Sequence, residues 1–509
     1  MIIISYHKCI SKSCKNDSIV FLKKLHIYIF KLVKEENHVL NEAIIQKLKE
    51  IVGENNVEDN ETSLLAYSYN ATPMQQHMPG AVVAPRTTEE VAEVVKVCDQ
   101  AKIPIIARGS GTNLSGGTTP LDGSIIIIFK NMNSILEIDE ENLTLTTQPG
   151  VYTKDIFDAA AEVGLFYPPD PGSMHVSQIG GNLSENSGGL RGLKYGVTRD
   201  YVLGLHVVLP NGEIIKTGGK LSKDVAGYDL TSLFVGSEGT LGIITEAVLK
   251  LIPQPDTKKT MLALFHDLEA AAQTVSDIIA NRITPATLEF LDQATVQVVE
   301  DYVNIGLPVD ARVVLLIEQD GTKEIVDQDV EKISELCKGN GAFEVNVAKT
   351  KEEGEALMEA RRAAVPALSR LKPTTFLEDA TVPRSELAKM VKAIEDIATK
   401  YDITICTFGH AGDGNLHPTC PTDSRDKEEM KRVKQAFEEI FERAVELGGT
   451  ITGEHGIGVS KMPYLHLKVG EAGIDAMRNI KLALDPKGIM NPGKIFELQK
   501  QEKSVVHDS

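Results

Sequence analysis

Cysteine is sparse in this chain: six in 509 residues, at positions 9, 14, 98, 337, 406 and 420, and no two form a C-x-x-C pair. That spacing excludes a zinc ribbon and a cysteine-ligated iron–sulfur cluster, and scattered thiols suit a reducing cytoplasm. Long hydrophobic runs are missing near the start, where the two apolar stretches, Ile19 to Leu22 and Leu25 to Phe30, are each too short to cross a bilayer. The first 36 residues contain no arginine and no A-x-A-like site, which argues against a transit or secretory peptide, and they are expected to form a disordered extension. Positive charge is in deficit, with a formal net charge of −19. Such a field repels nucleic acid and anionic membranes, so any basic pocket must be local. The chain is expected to be cytoplasmic, at most peripheral at the inner membrane face, with no transmembrane segment and no nucleic-acid partner. At this length, with 42% hydrophobic residues, more than one domain is expected.

Two common nucleotide signatures are incomplete. A G-x-G-x-x-G fingerprint begun at Gly109 needs a glycine where Leu114 stands, and a Walker A loop begun at Gly111 needs lysine where Gly117 stands. What is present is a set of three glycine-rich runs: RGSGTNLSGG from Arg108 to Gly117, PGSMHVSQIGGNLSENSGGLRGLKYG from Pro171 to Gly196, and VGSEGTLGIITE from Val235 to Glu246. Glycine permits close backbone approach to a phosphate, and the interspersed Ser, Thr and Asn supply hydrogen bonds.

These runs, in this order, resemble the FAD-binding domain of the vanillyl-alcohol oxidase and p-cresol methylhydroxylase family. The resemblance continues through GHAGDGNLH at Gly409 to His417, GEHGIG at Gly453 to Gly458 and NPGK at Asn491 to Lys494. It is strongest to the branch containing the glycolate oxidase D subunit, D-lactate dehydrogenases and D-2-hydroxyglutarate dehydrogenase. The resemblance implies FAD contacts from Gly109, Ser110, Gly111, Thr112, Asn113 and Leu114 in the first run. In the second run it implies Pro171, Gly172, Ser177, Gly180, Gly181, Asn182, Ser187, Gly188 and Gly196, and beyond them Glu238, Gly242, Ile244 and Asn491. Relatives with covalent flavin use a His in the first loop or a Cys in the second. Neither is present here, so FAD is expected to be non-covalent, and His175 is read as a local hydrogen-bond donor.

The implied fold is α+β: a two-subdomain FAD-binding domain of the p-cresol methylhydroxylase type over residues 37–253, a ferredoxin-like cap over 254–470, and a C-terminal helix and tail over 471–509 that return to the first domain. Periodicity adds detail. Glu42 to Val52 has helical spacing, Ala81 to Pro85 and Ile103 to Ala107 read as strands, and Thr88 is expected to cap the helix between them. SIIIIF, Ser124 to Phe129, reads as a strand buried on both faces. Leu203 to Leu209 and Glu213 to Thr217 form a hairpin about Pro210-Asn211-Gly212. After the prolines at 253 and 255, strand and helix patterns alternate as in an antiparallel sheet with helices on one face. Long helices are expected around Leu387 to Lys400, Lys427 to Leu447 and Ala472 to Leu484.

His410 and His417 are separated by six residues, two of them glycine, which places them on a loop and the strand it enters. With Glu454 they make two His and one Glu, a three-ligand set with open positions, the pattern of a catalytic divalent metal such as Zn or Mn. The resemblance implies the same three ligands. His455, between Gly453 and Gly456, is placed to take a hydroxyl proton. Arg361 is the carboxylate-binding cation that the resemblance implies, and Arg362 reads equally well as a surface charge. Members that take a dicarboxylate carry a lysine near the stretch aligned with Asp379 to Pro383. Here Phe376-Leu377-Glu378 stands instead, which favours a short 2-hydroxy acid such as glycolate or D-lactate. An alkylglycerone-phosphate-synthase-like transferase and an FAD-binding subunit inactive by itself remain alternatives. The electron acceptor is left open among an iron–sulfur or flavin partner subunit, a quinone, a soluble flavoprotein and oxygen, and so is the oligomeric state.

Overall fold

The computed structural model describes residues 40–72 and 76–498. The expected N-terminal extension lies outside these residues. No helix among the described residues is long and apolar enough to cross a membrane.

The first sheet holds Ala81–Val83, Ile125–Ile128 and Ile105–Arg108 in parallel, with Val57–Glu58 antiparallel at one edge. Its strands are apolar without alternation because both faces are covered. Val83, Ile105, Ile125 and Ile127 pack with helices Glu42–Val52 and Thr88–Ala101, while Val82, Ile106, Ile126 and Ile128 fill the other side. The helix cap is Thr87, one residue before the expected Thr88: its side chain accepts from the Glu90 amide at 3.2 Å. Strand Ile105–Arg108 runs directly into the first glycine-rich loop.

A five-stranded antiparallel sheet follows, in the order Ile135–Asp139, Thr144–Thr147, Ile243–Lys250, Val202–Val208 and Ile214–Gly218. Its central strand grows out of the third glycine-rich run. The third sheet orders Glu344–Val347, Thr257–Phe265, Val313–Gly321 and Thr287–Asp292 as a ferredoxin-like unit. Cys406–His410, Asn415–Thr422 and Thr374–Leu377 extend it. Helices cover both faces, not one as expected. Met261, Ala263 and Phe265 pack against Leu268–Ala280, Lys323–Gly339, Leu387–Lys400 and Lys427–Glu446. Leu262, Leu264, Val314 and Leu316, pointing the opposite way, pack with Gln293–Val303, Lys351–Arg362 and Ala364–Leu368. This second face looks toward the flavin-binding half, since Leu114 and Leu190 join its core.

The last helix, Leu465–Leu484, starts earlier than expected and breaks at Gly470, whose φ is 66°. The tail then returns to the first sheet, where Met490 pairs with Ile105 and the Asn491 side chain donates to Gly117 O and Glu238 O at 2.9 and 2.7 Å.

Candidate active site

Strand register assembles the site. Glu289 stands opposite His410, and Phe408 opposite His417, on three neighbouring strands. Paired residues share a face and residues two apart share it too, so Glu289, His410, Phe408 and His417 all project from one face, the one that looks toward the flavin-binding half. His410 therefore ends a strand; it does not lie in the expected loop. Its Nδ1 is 2.6 Å from Glu289 Oε1, which leaves Nε2 to face Glu454 Oε1 at 3.2 Å, and His417 Nε2 is also 3.2 Å from that oxygen. The donor atoms of His410, His417 and Glu454 lie within 4.8 Å of one another. Two imidazoles and a carboxylate converging in this way, one imidazole backed by an outer carboxylate, fit a divalent ion with open coordination positions.

Glu454 and His455 come from a loop whose shape is imposed by Asp379. Its Oδ2 accepts from the Gly453 amide at 2.6 Å and the Glu454 amide at 2.8 Å. Gly456, at φ 77°, turns the chain immediately afterwards. The His455 ring stacks on His417 with centroids 5.1 Å apart, and its Nδ1 is 3.5 Å from Asp379 Oδ1. Lys461, wholly buried, forms an ion pair with Asp379 and lies 3.2 Å from Glu378 Oε2.

Burial alone would favour neutral His410, but Glu289 and Glu454 on either side outweigh it and hold its pKa well above the usual value. Burial lowers His417 against the pull of Glu454. Burial also pushes His455 down to about 4, only partly opposed by Asp379, so it is a neutral acceptor near pH 7. Asp379 stays below its ordinary range because His455 and Lys461 overcome its burial, whereas burial lifts Glu378 to about 7.

One cavity of about 430 Å³ joins this cluster to the glycine-rich loops. Of the expected cofactor residues it is lined by Gly109, Ser110, Gly111, Thr112, Asn113, Leu114, Pro171, Gly172, Ser177, Gly180, Gly181, Asn182, Ser187, Glu238, Gly242 and Ile244, and at its far end by Arg361, His410, His417, Glu454 and His455. A Cβ on Gly172 or Gly181 would project into open space, and Asn113 Oδ1 is buried without a partner. A dinucleotide fits such a cradle.

Three expected residues lie off the cavity wall. Gly188 packs beneath Glu454, where a Cβ would come 2.7 Å from Oε2. Gly196 makes a turn against Asp200, whose carboxylate accepts the Val197 amide. Asn491 ties the first and third loops together through backbone oxygens. The Glu238 carboxylate is engaged by the Ile457 and Gly458 amides, both at 2.7 Å, so it braces the His455 loop. His175 is exposed and does not line the cavity.

Arg361 is buried over the Phe408 ring, with Nη2 2.6 Å from Glu289 Oε2. That contact is an ion pair outside hydrogen-bonding alignment, and Arg361 Nε has no partner, so donors remain for a ligand. Arg362 is not a surface charge: it is half-buried, pairs with Asp170 at 2.7 Å and lines the same cavity. Glu289, Asp379, Lys461 and Asp170 were missed in the sequence. A lone glutamate inside the apolar ATLEFL was a readable signal for Glu289; nothing local marks Lys461.

Residues 79–218 match the FAD binding domain family, and residues 254–495 match the family of FAD linked oxidases, C-terminal domain. The chain is 63% identical to glycolate oxidase subunit GlcD of Bacillus subtilis (strain 168) over 467 residues, covering 92% of this chain and 99% of that protein. The chain belongs to the FAD-linked oxidase family. A D-lactate dehydrogenase of Anaerostipes hadrus is 39% identical over 82% of this chain and 89% of its own length. The fold is shared with p-cresol methylhydroxylase in a substrate-bound crystal structure, with a TM-score of 0.77, 20% identity, and coverage of 91% and 99% of the two chains. The protein is thus an FAD-dependent oxidoreductase with the p-cresol methylhydroxylase fold.

Proposed function

We propose that this protein oxidises a short D-2-hydroxy acid, glycolate or D-lactate, to the 2-oxo acid. The observation that carries the reading is the single cavity with glycine-rich loops at one end and an Arg, His and Glu cluster at the other. FAD, held non-covalently by those loops, supplies a hydride acceptor for C2. A divalent ion such as Zn or Mn, held by His410, His417 and Glu454, supplies Lewis-acid polarisation of the hydroxyl.

The chain's own residues do the rest. Arg361 offers its free donors to the substrate carboxylate and fixes which end of the acid faces the cluster. His455, neutral and with Nδ1 toward Asp379, accepts the hydroxyl proton at Nε2, and ionised Asp379 offsets the charge the ring gains. Lys461 spends part of that carboxylate's charge, and so keeps His455 from binding its proton too tightly. Leu377, Val365, Pro366 and Phe408 line the wall beside Arg361 and exclude water. The other cations nearby are engaged: Arg362, on the same wall, pairs with Asp170, and Lys461, beneath it, with Asp379 and Glu378, which favours an acid without a distal carboxylate. A relative named as an oxidase subunit supports electron release to a partner chain.

The test is anaerobic mixing of the yellow protein with glycolate, D-lactate, L-lactate and D-2-hydroxyglutarate. Bleaching by the first two is expected. A flavin that none of these acids reduces would exclude the dehydrogenase reading and favour a transferase.

A further inference from the structure

The cavity wall holds a pair of carboxyl groups that neither the metal cluster nor the proton transfer uses. Glu185 ends the short helix Ile179–Glu185 in the second glycine-rich run, and Glu238 belongs to the third; both line the cavity. The Glu238 amide donates to Ser184 O at 2.8 Å, which sets the two runs side by side. Two glycines mark where the side chains lie. A Cβ added at Gly117 would come 2.8 Å from Glu185 Oε1 and 3.7 Å from Glu238 Oε2. One added at Gly456 would collide with Glu185 Oε2 and stand 3.0 Å from Glu238 Oε1. The two carboxyl groups therefore lie next to each other, between the first loop and the turn that follows His455.

Their partners differ. Glu238 accepts from the Ile457 and Gly458 amides, both at 2.7 Å, and such donors favour its charged form. Glu185 Oε2 is buried with no hydrogen-bond partner. The other charged groups that act on the pair are Lys461, beyond the His455 turn, and Lys494, from the tail. Lys461 is committed to Asp379 and Glu378, and Lys494 acts on Glu238. Ionising both acids would set like charges together in a buried site, so the proton stays on the one without donors. Burial raises the pKa of both, but only Glu238 has amides to oppose it; at Glu185 the neighbouring Glu238 adds to the rise, against the weaker pull of Lys461. A buried carboxyl group kept neutral is a hydrogen-bond donor.

The donor's place indicates its acceptor. Gly456 follows His455, which takes the substrate's hydroxyl proton, and the hydride leaves the carbon that bears this hydroxyl. The ring that receives the hydride therefore lies at this end of the cavity. Its polar edge carries carbonyl oxygens and bare nitrogens, and it gains negative charge on reduction. We propose that Glu185 is an uncharged acid that donates a hydrogen bond to the flavin ring and so favours its reduced form. The inference rests on the reading of the cavity as the flavin site with His455 at its substrate end. Hydrogen bonds and charge beside the ring are the means by which a protein tunes a flavin.

The experiment measures the midpoint potential of the bound FAD by equilibration with a reference dye, with no substrate present, so a wrong substrate assignment leaves the result untouched. Glu185→Met, of similar volume but without a donor, should shift the ratio of reduced to oxidised flavin about tenfold toward oxidised, about 30 mV for two electrons. Glu185→Gln keeps an NH2 donor and should match the wild type near neutral pH. The acid donates only while protonated. As pH rises through its elevated pKa the donor is lost, so the wild-type potential should fall below that of Glu185→Gln in alkaline solution. A packing role alone would produce no such divergence. Glu185→Met at the wild-type potential overturns the proposal, as does Glu185→Gln lowered as far as Glu185→Met. Should Glu185→Met fail to retain FAD, the other two proteins decide: curves that stay parallel into alkaline solution overturn it.

Discussion

Replacing Glu289 by Gln tests whether the buried carboxylate organises both halves of the site. Glu289 is fully buried, with one oxygen 2.6 Å from His410 Nδ1 and the other 2.6 Å from Arg361 Nη2. Gln keeps the shape but has a single acceptor oxygen, so either His410 or Arg361 must then face an NH2 group. A buried donor left unpaired costs about 1–3 kcal/mol, and losing an outer carboxylate behind a ligating histidine costs roughly 10–100-fold in metal affinity or activity. Dye-linked turnover with glycolate or D-lactate should fall by about 10–100-fold, while the flavin absorbance stays. The two routes separate in the kinetics. Loss through His410 appears as lower kcat, with less bound metal, and is partly restored by excess metal. Loss through Arg361 appears as raised KM that metal does not restore. A Glu289→Gln enzyme with wild-type metal content and both constants within about twofold, far below the effect expected of an outer carboxylate, would remove Glu289 from the mechanism.

His455→Asn should lower turnover by about 10²–10⁴-fold, the range of a general base, with an intact FAD spectrum; near-normal turnover would move the base role elsewhere. Chelation should abolish activity and added Zn²⁺ or Mn²⁺ should restore it, with FAD retained throughout. His410→Ala and Glu454→Ala should each lose metal and activity but keep FAD, because the flavin loops lie at the other end of the cavity. A metal-free preparation of full activity would reduce those residues to direct hydrogen-bonding partners of the substrate. Acid or heat precipitation should release intact FAD into solution; yellow colour retained on the precipitate would refute non-covalent binding.

Periodicity located most elements because each buries a defined face. Glu42–Val52 ends where its apolar stripe ends, and Ile125–Ile128, read as covered on both faces, has core clusters on each side. The same reasoning applied to RVVLLIE would have predicted helices on both faces of the cap sheet, since residues 313–317 are also apolar without alternation and the strand Val313–Gly321 is buried at every position but the last. The ferredoxin-like topology suggested one covered face and overrode that signal. Strands added beyond the four-stranded unit, including Cys406–His410 and Asn415–Thr422, are what widen the sheet enough to carry the site.

The residues legible in the sequence were those whose neighbours declare them: glycines that let a loop approach phosphate, and histidines and a glutamate beside glycines. The supporting residues come from far away in the chain. Glu289 and His410 are 121 positions apart, and Asp379 and Lys461 are 82 apart, so only strand register and burial bring them together. Yet burial leaves a trace even in one dimension. A carboxylate within an unbroken apolar strand must either disrupt the core or find a charged partner there. In TLEFL the partners are His410 and Arg361, one a candidate ligand of the ion and the other the candidate anchor of the substrate. A single acid in an apolar run therefore links two functional groups that neither motif nor spacing joins.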